Sequence, residues 1–78
     1  MSAKIPELKT LGENIRRRRE SLELSQEALA HSADVDRSYL GAVERGERNI
    51  TFLVLCRIAR ALNIDVGLLV KGAAGGGR

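Results

Sequence analysis

The chain has 78 residues, 44% of them hydrophobic and 29% charged, which is typical of one small soluble globular domain. Its net charge of +3 fits a polyanionic partner only weakly, and its two aromatic residues, Tyr39 and Phe52, are too few for a base-stacking platform. Short amphipathic apolar stretches exclude a membrane span, while the single Cys56 and the absence of an export signal predict a cytoplasmic protein.

The first predicted helix begins at Pro6, whose missing N–H suits a first helical turn, and ends near Ser21. Its apolar residues recur at helical spacing: Leu8, Leu11, Ile15 and Leu22. The residues before it, Met1 to Lys4, are expected to form a loose arm.

Two short helices follow between Ser25 and Gly46. Each begins with a side-chain oxygen that can accept from free backbone N–H groups, Ser25 in one and Asp36 in the other. Each also has the spacing of a hydrophobic staple: Leu24 with Leu29, and Val35 with Leu40. Because such helices with a very short connection form a rigid corner, the pattern predicts a helix-turn-helix that suits a DNA groove.

Two residues of this corner are expected to have a left-handed backbone. Asp34 occupies the turn, where glycine is usual, and aspartate tolerates a positive φ better than most residues. Gly46 follows the third helix and is predicted to end it.

The remaining chain predicts two more helices and a tail. Thr51 is expected to cap a fourth helix that runs through Leu62, and Asp65 a short fifth helix. The pattern therefore indicates a compact all-α, five-helix domain over residues 1–71 and a flexible Gly-rich tail over residues 72–78.

The fourth helix is apolar on more than one side. One row of its residues is expected to face the core: Phe52, Leu55, Cys56, Ala59 and Leu62. A second row of apolar residues on this helix, together with the apolar residues that follow it, provides more apolar surface than the core needs. This surplus predicts a homodimer interface. Its expected residues are Val54, Ile58, Ile64, Val66, Leu69 and Val70.

Two charged residues interrupt apolar stripes. Arg19 lies on the apolar face of the first helix, and Glu44 lies on the inward face of the third. Because a buried ion is costly unless it is paired, we expect a partly buried ion pair between them. The alternative is that Arg19 extends to solvent. The preceding Arg16, Arg17 and Arg18 are expected to form a solvated face, with a phosphate contact as the alternative.

The outward face of the third helix predicts contacts with bases: Arg37, Ser38, Gly41, Ala42 and Arg45. Gly41 weakens a helix relative to alanine, and small residues leave room for another surface. An arginine in the first turn opposes the helix dipole, and arginine can bind guanine with two hydrogen bonds.

Residues beside this face are candidates for contacts with the DNA backbone. Gln26 begins the second helix, whose N–H groups suit a phosphate, and Arg48 and Asn49 follow Gly46 in the loop. Tyr39 either packs only or also extends its hydroxyl to DNA. Glu27 and Glu47 are expected to turn away from phosphate.

Residues 11–69 resemble the lambda-repressor-like helix-turn-helix family, also called the Xre or Cro-type family. The matching segments are LSQEALA, DRSYLGAVERGERNIT and LCRIARALNI, and DRSYLGAVERGERN is similar to the controller proteins of restriction–modification systems. The resemblance implies that Gln26 binds phosphate, that Arg37, Ser38 and Ala42 contact base edges, that Tyr39 and Arg48 contact DNA, and that Arg19 and Glu44 form an internal salt bridge. Asp34 departs from the turn glycine of the family.

The residues and the resemblance together favour a sequence-specific transcriptional regulator. It is expected to bind double-stranded DNA as a homodimer on a palindromic operator, with recognition helix 36–45 in the major groove. The alternative is an antitoxin-type or other protein-interaction module on the same fold. An enzyme is disfavoured, and we expect no metal, cofactor or small-molecule effector.

Overall fold

The computed structural model describes residues 5–74, which form five helices and no strand. They are α1 (Pro6–Ser21), α2 (Gln26–Ala33), α3 (Arg37–Glu44), α4 (Phe52–Ala61) and α5 (Val66–Leu69). The all-α, five-helix prediction is confirmed. The expected arm at Met1 to Lys4 and the last four residues of the expected tail lie outside the described residues. Within that range, no helix combines the length and apolar character needed to cross a membrane.

Local signals set most helix ends as predicted. The side chains of Ser25, Thr51 and Asp65 each accept from a backbone N–H two or three residues later, at 3.0, 3.2 and 2.8 Å. The turn residue Asp34 has φ 58° and ψ 48°, and Gly46 has φ 79°. Both left-handed positions are therefore confirmed.

The side-chain cap predicted at Asp36 is wrong. Its backbone has the extended conformation of a cap residue, but its carboxylate accepts from the Ser38 hydroxyl at 2.9 Å and not from a backbone N–H. The nearby hydroxyl competes successfully with the backbone for this short side chain.

The core lies where α1 packs on α3 and α5, and α2 packs on α3 and α4. Its buried apolar residues come from all five helices: Leu11, Ile15, Leu29, Ala30, Ala33, Leu40, Val43, Leu55, Ile58, Ala59, Leu62 and Leu69. Ile58 and Leu69 are 0% and 1% exposed, so their assignment to a dimer interface is wrong. Both α2 and α5 pack against α4, so a wide arc of that helix is used within the subunit.

The prediction that Phe52 faces the core is also wrong, because its side chain is 67% exposed. Helical spacing places it about 70° from the centre of the buried stripe of α4, in the first turn. Leu53 is 72% exposed beside it, and Cys56 is half-buried.

Two glycines bring α1 into backbone contact with the end of α3. A Cβ on Gly12 would lie 2.5 Å from the carbonyl oxygens of both Val43 and Glu44. A Cβ on Gly46 would lie 2.8 Å from Lys9 Cα. The sequence alone does not predict this role of Gly12, because a glycine within a helix does not reveal what approaches it.

Side chains also fasten three helix ends to neighbouring helices. Arg18 of α1 donates to carbonyls that follow α4, Asn14 of α1 to carbonyls at the end of α5, and Arg57 of α4 to carbonyls at the end of α2. Arg18 therefore differs from the exposed Arg16 and Arg17, and the prediction of a solvated face is wrong for it.

We predict that Gly12→Ala lowers the free energy of unfolding by about 2 kcal/mol or more, because the added methyl group meets rigid backbone on α3. Urea denaturation followed by circular dichroism measures the change. Gly41→Ala is the matched control, since a Cβ there has no neighbour closer than 3.4 Å. That control should gain up to about 1 kcal/mol from helix propensity. Equal effects of the two substitutions would contradict the close contact at Gly12.

Candidate DNA-binding interface

The corner between α2 and α3 is fixed by backbone bonds and by α4. The Val35 N–H donates to the Ala30 carbonyl at 2.9 Å, across the left-handed Asp34. Arg57 donates to the carbonyls of Ala33 at 2.9 Å and Asp34 at 3.1 Å. The direction in which α3 leaves the turn is therefore set by hydrogen bonds on both sides.

Behind α3, Arg19 and Glu44 form the predicted ion pair. Arg19 Nε and Nη2 donate to the two oxygens of Glu44 at 2.7 and 3.0 Å, and Nη1 donates to the Leu24 carbonyl at 2.8 Å. The side chains are only 11% and 3% exposed, so the alternative in which Arg19 extends to solvent is wrong. Hydrogen bonding to Glu44 raises the pKa of Arg19 above its ordinary value, against the opposing effect of burial.

The pair continues through Gln26 to the start of α3. Gln26 Nε2 donates to Glu44 Oε1 at 2.9 Å, and Gln26 Oε1 accepts from Arg37 Nη1 at 3.4 Å. Because a carboxylate only accepts, the amide NH₂ group must face Glu44, which leaves its oxygen for Arg37. Sequence reasoning found the residues of this network, but it did not find that Gln26 connects the buried pair to Arg37.

The outward face of α3 is partly covered by its own neighbours. Arg37, Ser38 and Arg45 are exposed, and Ala42 is half-buried. Gly41 is buried, so the prediction that it lies open is wrong.

The covering atoms belong to Gln26 and Arg45. A Cβ on Gly41 would lie 3.4 Å from Arg45 Nη1 and 3.5 Å from Gln26 Oε1. Glu47 accepts from Arg45 Nε at 3.1 Å. Arg45 therefore presents a partly neutralised charge.

A second group lies beyond the end of α3. Tyr39 is half-buried and packs against the core, and the Arg48 guanidinium lies 5.0 Å from the centre of its ring. This distance permits a cation–π interaction, which restricts the directions that Arg48 can take. Asn49 is exposed next to it. A contact of the Tyr39 hydroxyl with DNA remains a prediction.

Residues 15–69 match the HTH_3 helix-turn-helix family. The chain belongs to this family. It is 47% identical to the control protein C.SmaI from Serratia marcescens over 60 residues, which cover 77% of this chain and 71% of that protein. The expected family resemblance is therefore confirmed.

Solved structures of two relatives have the same fold. The restriction-modification controller protein C.AhdI from Aeromonas hydrophila is 42% identical and superposes with a TM-score of 0.78, over 80% of this chain and 94% of that chain. The clp gene regulator ClgR from Corynebacterium glutamicum is 28% identical, with a TM-score of 0.83 over 88% of this chain and 73% of that chain. The chain is thus a DNA-binding regulator of the helix-turn-helix type.

We predict that Glu44→Gln lowers the free energy of unfolding by about 3 kcal/mol, because it leaves the Arg19 charge buried without a carboxylate. Chemical denaturation at neutral pH measures the loss. Glu20→Gln is the matched control, because Glu20 pairs with Arg16 at 3.0 Å but its side chain is 54% exposed. The control should change stability by less than about 1 kcal/mol. A loss in Glu44→Gln as small as that of the control would show that the buried pair is not needed.

Proposed function

We propose that this chain is a sequence-specific transcriptional regulator that binds a palindromic operator as a homodimer, with recognition helix 36–45 in the major groove. The observation that supports this most directly is the network that holds Gln26 and Arg37 at the starts of α2 and α3. Two polar side chains fixed by a buried ion pair need little reordering to meet a ligand, which favours selective binding.

In this proposal Gln26 and Arg37 have different tasks. Gln26 stands at the N-terminus of α2, where free N–H groups and the helix dipole favour a phosphate. Arg37 uses one Nη1 donor on Gln26, and its other N–H groups remain for the O6 and N7 atoms of a guanine. The phosphate contact then fixes the register in which Arg37 meets the bases.

The other candidate contacts surround this pair. Ser38, Ala42 and Arg45 lie further along the outward side of α3, and we propose that they meet base edges or sugars. Arg48 and Asn49, with the Tyr39 hydroxyl, would contact the backbone beyond the end of α3.

We further propose that the chain controls a restriction–modification system. The support is its similarity to C.SmaI, named a control protein, and to C.AhdI, named a restriction-modification controller protein. An adjacent methyltransferase gene and endonuclease gene would support this role. Binding to the DNA upstream of its own gene tests it, and the absence of a salt-sensitive, sequence-dependent shift at micromolar protein would exclude it.

On the outward face of α3, Arg37→Ala should lower the affinity for the preferred site about 10- to 100-fold and the affinity for random DNA much less. Gln26→Ala should weaken both, and because Gln26 also orients Arg37, the double variant should lose less than the sum of the single losses. Fluorescence anisotropy with operator and random duplexes at fixed salt measures all three variants.

Arg60→Ala is the control, since it removes one positive charge from an exposed position of α4 that is outside the network. Strict additivity of the two losses would contradict the coupling of Gln26 to Arg37. Equal loss on both duplexes in Arg37→Ala would contradict base reading.

The proposed dimer surface centres on the start of α4. Phe52 and Leu53 are 67% and 72% exposed, which is unusual for large apolar side chains of a small domain. The half-buried Val54, Val66 and Val70, which the sequence predicts at this interface, belong to the proposed surface. Ile64 is also half-buried and lines a separate groove. A two-fold dimer would place two recognition helices about 34 Å apart, one turn of DNA.

We predict that Leu53→Asp sediments as a monomer at concentrations where the unaltered chain is a dimer, because it buries a charge in an apolar interface. Its affinity for the palindrome should fall at least about tenfold, while its affinity for a half-site changes little. Analytical ultracentrifugation and anisotropy measure the two effects. Ile5→Asp is the control, since it removes an apolar side chain that is 46% exposed and lies just before α1. A dimer that survives Leu53→Asp would exclude this surface.

A further inference from the structure

A groove of about 440 Å³ lies between α1 and α5. Its apolar side is formed by Ile64, Leu68 and Leu69, and its rim carries three cations: Arg17, Arg18 and Lys71. Leu68 is 61% exposed, although it is a large apolar residue. The groove therefore combines an uncovered apolar surface with positive charge.

The walls of the groove are held in place without a ligand. Asn14 of α1 donates from Nδ2 to the carbonyls of Leu69 at 2.9 Å and Lys71 at 3.0 Å. Arg18 donates to the carbonyls of Leu62 and Asn63, both at 3.1 Å. Because these bonds fasten α5 and the end of α4 onto α1, the groove is preformed and binding need not organise it.

The charges at the rim are not balanced. Over residues 5–74, neither Arg17 nor Lys71 forms an ion pair, and Arg17 Nη1 donates only to the neutral Asn14 Oδ1 at 3.3 Å. The residues that line the groove include no acid. A ligand with carboxylates would supply the missing charge at the rim, and aliphatic side chains would cover Leu68.

The groove is separate from the two surfaces already assigned. On α1 its residues Asn14, Arg17 and Ser21 form a stripe nearly opposite Gly12 and Arg19, which face α3. On α5 the spacing places Leu68 on the opposite side from Val66 and Val70. Two copies that met through this groove about a two-fold axis would also bring like charges together, which disfavours a second copy as its occupant.

We propose that this groove binds a short segment of a partner protein that carries both carboxylate and aliphatic side chains. Aliphatic side chains of the segment lie on Ile64 and Leu68, and its carboxylates meet Arg17 and Lys71. The inference does not depend on which base sequence α3 reads.

The test is a titration of the ¹⁵N-labelled full chain with the tetrapeptide acetyl-Glu-Leu-Leu-Glu-amide, followed by amide chemical shifts. The expected shifts are confined to the residues around the groove, chiefly Ile64, Leu68 and Lys71. The double variant Arg17→Glu with Lys71→Glu should weaken binding at least about tenfold. Leu68→Ser should also weaken it, and Arg60→Glu, the same change at an exposed cation outside the groove, should not.

Four results would overturn the proposal. Shifts spread over the surface, or no shifts at millimolar peptide, would show that the groove does not select this chemistry. Equal binding of acetyl-Lys-Leu-Leu-Lys-amide would remove the role of the rim charges. Octanoate binding as tightly as the peptide would identify a site for small amphiphiles. Loss of the dimer in the groove variants, measured by ultracentrifugation, would assign the groove to a second copy. None of these results depends on DNA binding, so a failure here is distinguishable from a failure of the proposed function.

Discussion

The carboxylate of Glu44 is buried where α1 meets the end of α3, and the rest of the site depends on how its charge is met. Arg19 supplies two donors and Gln26 a third, so the buried charge has partners from α1 and α2. An unpaired ion at this depth would be strongly destabilising, so the three helices are constrained to one arrangement. The arrangement also requires a glycine at position 12, because only a residue without a side chain lets the α1 backbone approach the carbonyls of Val43 and Glu44.

This arrangement explains how a corner with little positive charge can suit DNA. Residues 25–50 contain three basic and five acidic residues, a net charge of 3 − 5 = −2. The charge of Glu44 is met by Arg19 from outside that segment, and Arg45 is paired with Glu47. A diffuse positive field is therefore absent here, and attraction must come from a few cations whose directions are fixed. Arg37 is hydrogen-bonded to Gln26 and the Arg48 guanidinium lies near the Tyr39 ring, so the attraction depends on where these cations are placed and not on charge density.

The sequence predicted the local features, which depend on residues close together in the chain. It also predicted one long-range contact, the ion pair between Arg19 and Glu44. Caps and left-handed positions are decided within a few residues, and Arg19 and Glu44 were identifiable because each interrupts an apolar stripe. The faces of α4 were assigned less well, because its apolar residues extend around the helix and the sequence does not show which of them α2 and α5 cover. The Asp36 cap and the open Gly41 failed for a related reason: Ser38, Gln26 and Arg45 take positions that spacing alone does not specify.

The two sides of α1 make it the element through which distant parts of the domain are joined. One side contacts the end of α3 through Gly12 and Arg19, and the other holds α4 and α5 through Arg18 and Asn14. The contact at Gly12 leaves no room for a side chain between the two backbones, so α1 packs closely on the end of α3 there. The groove between α1 and α5 is therefore built on the same helix that holds Glu44 through Arg19. Gln26 joins Glu44 to Arg37, so α1 supports the outward face of α3 from one side and forms the groove on the other.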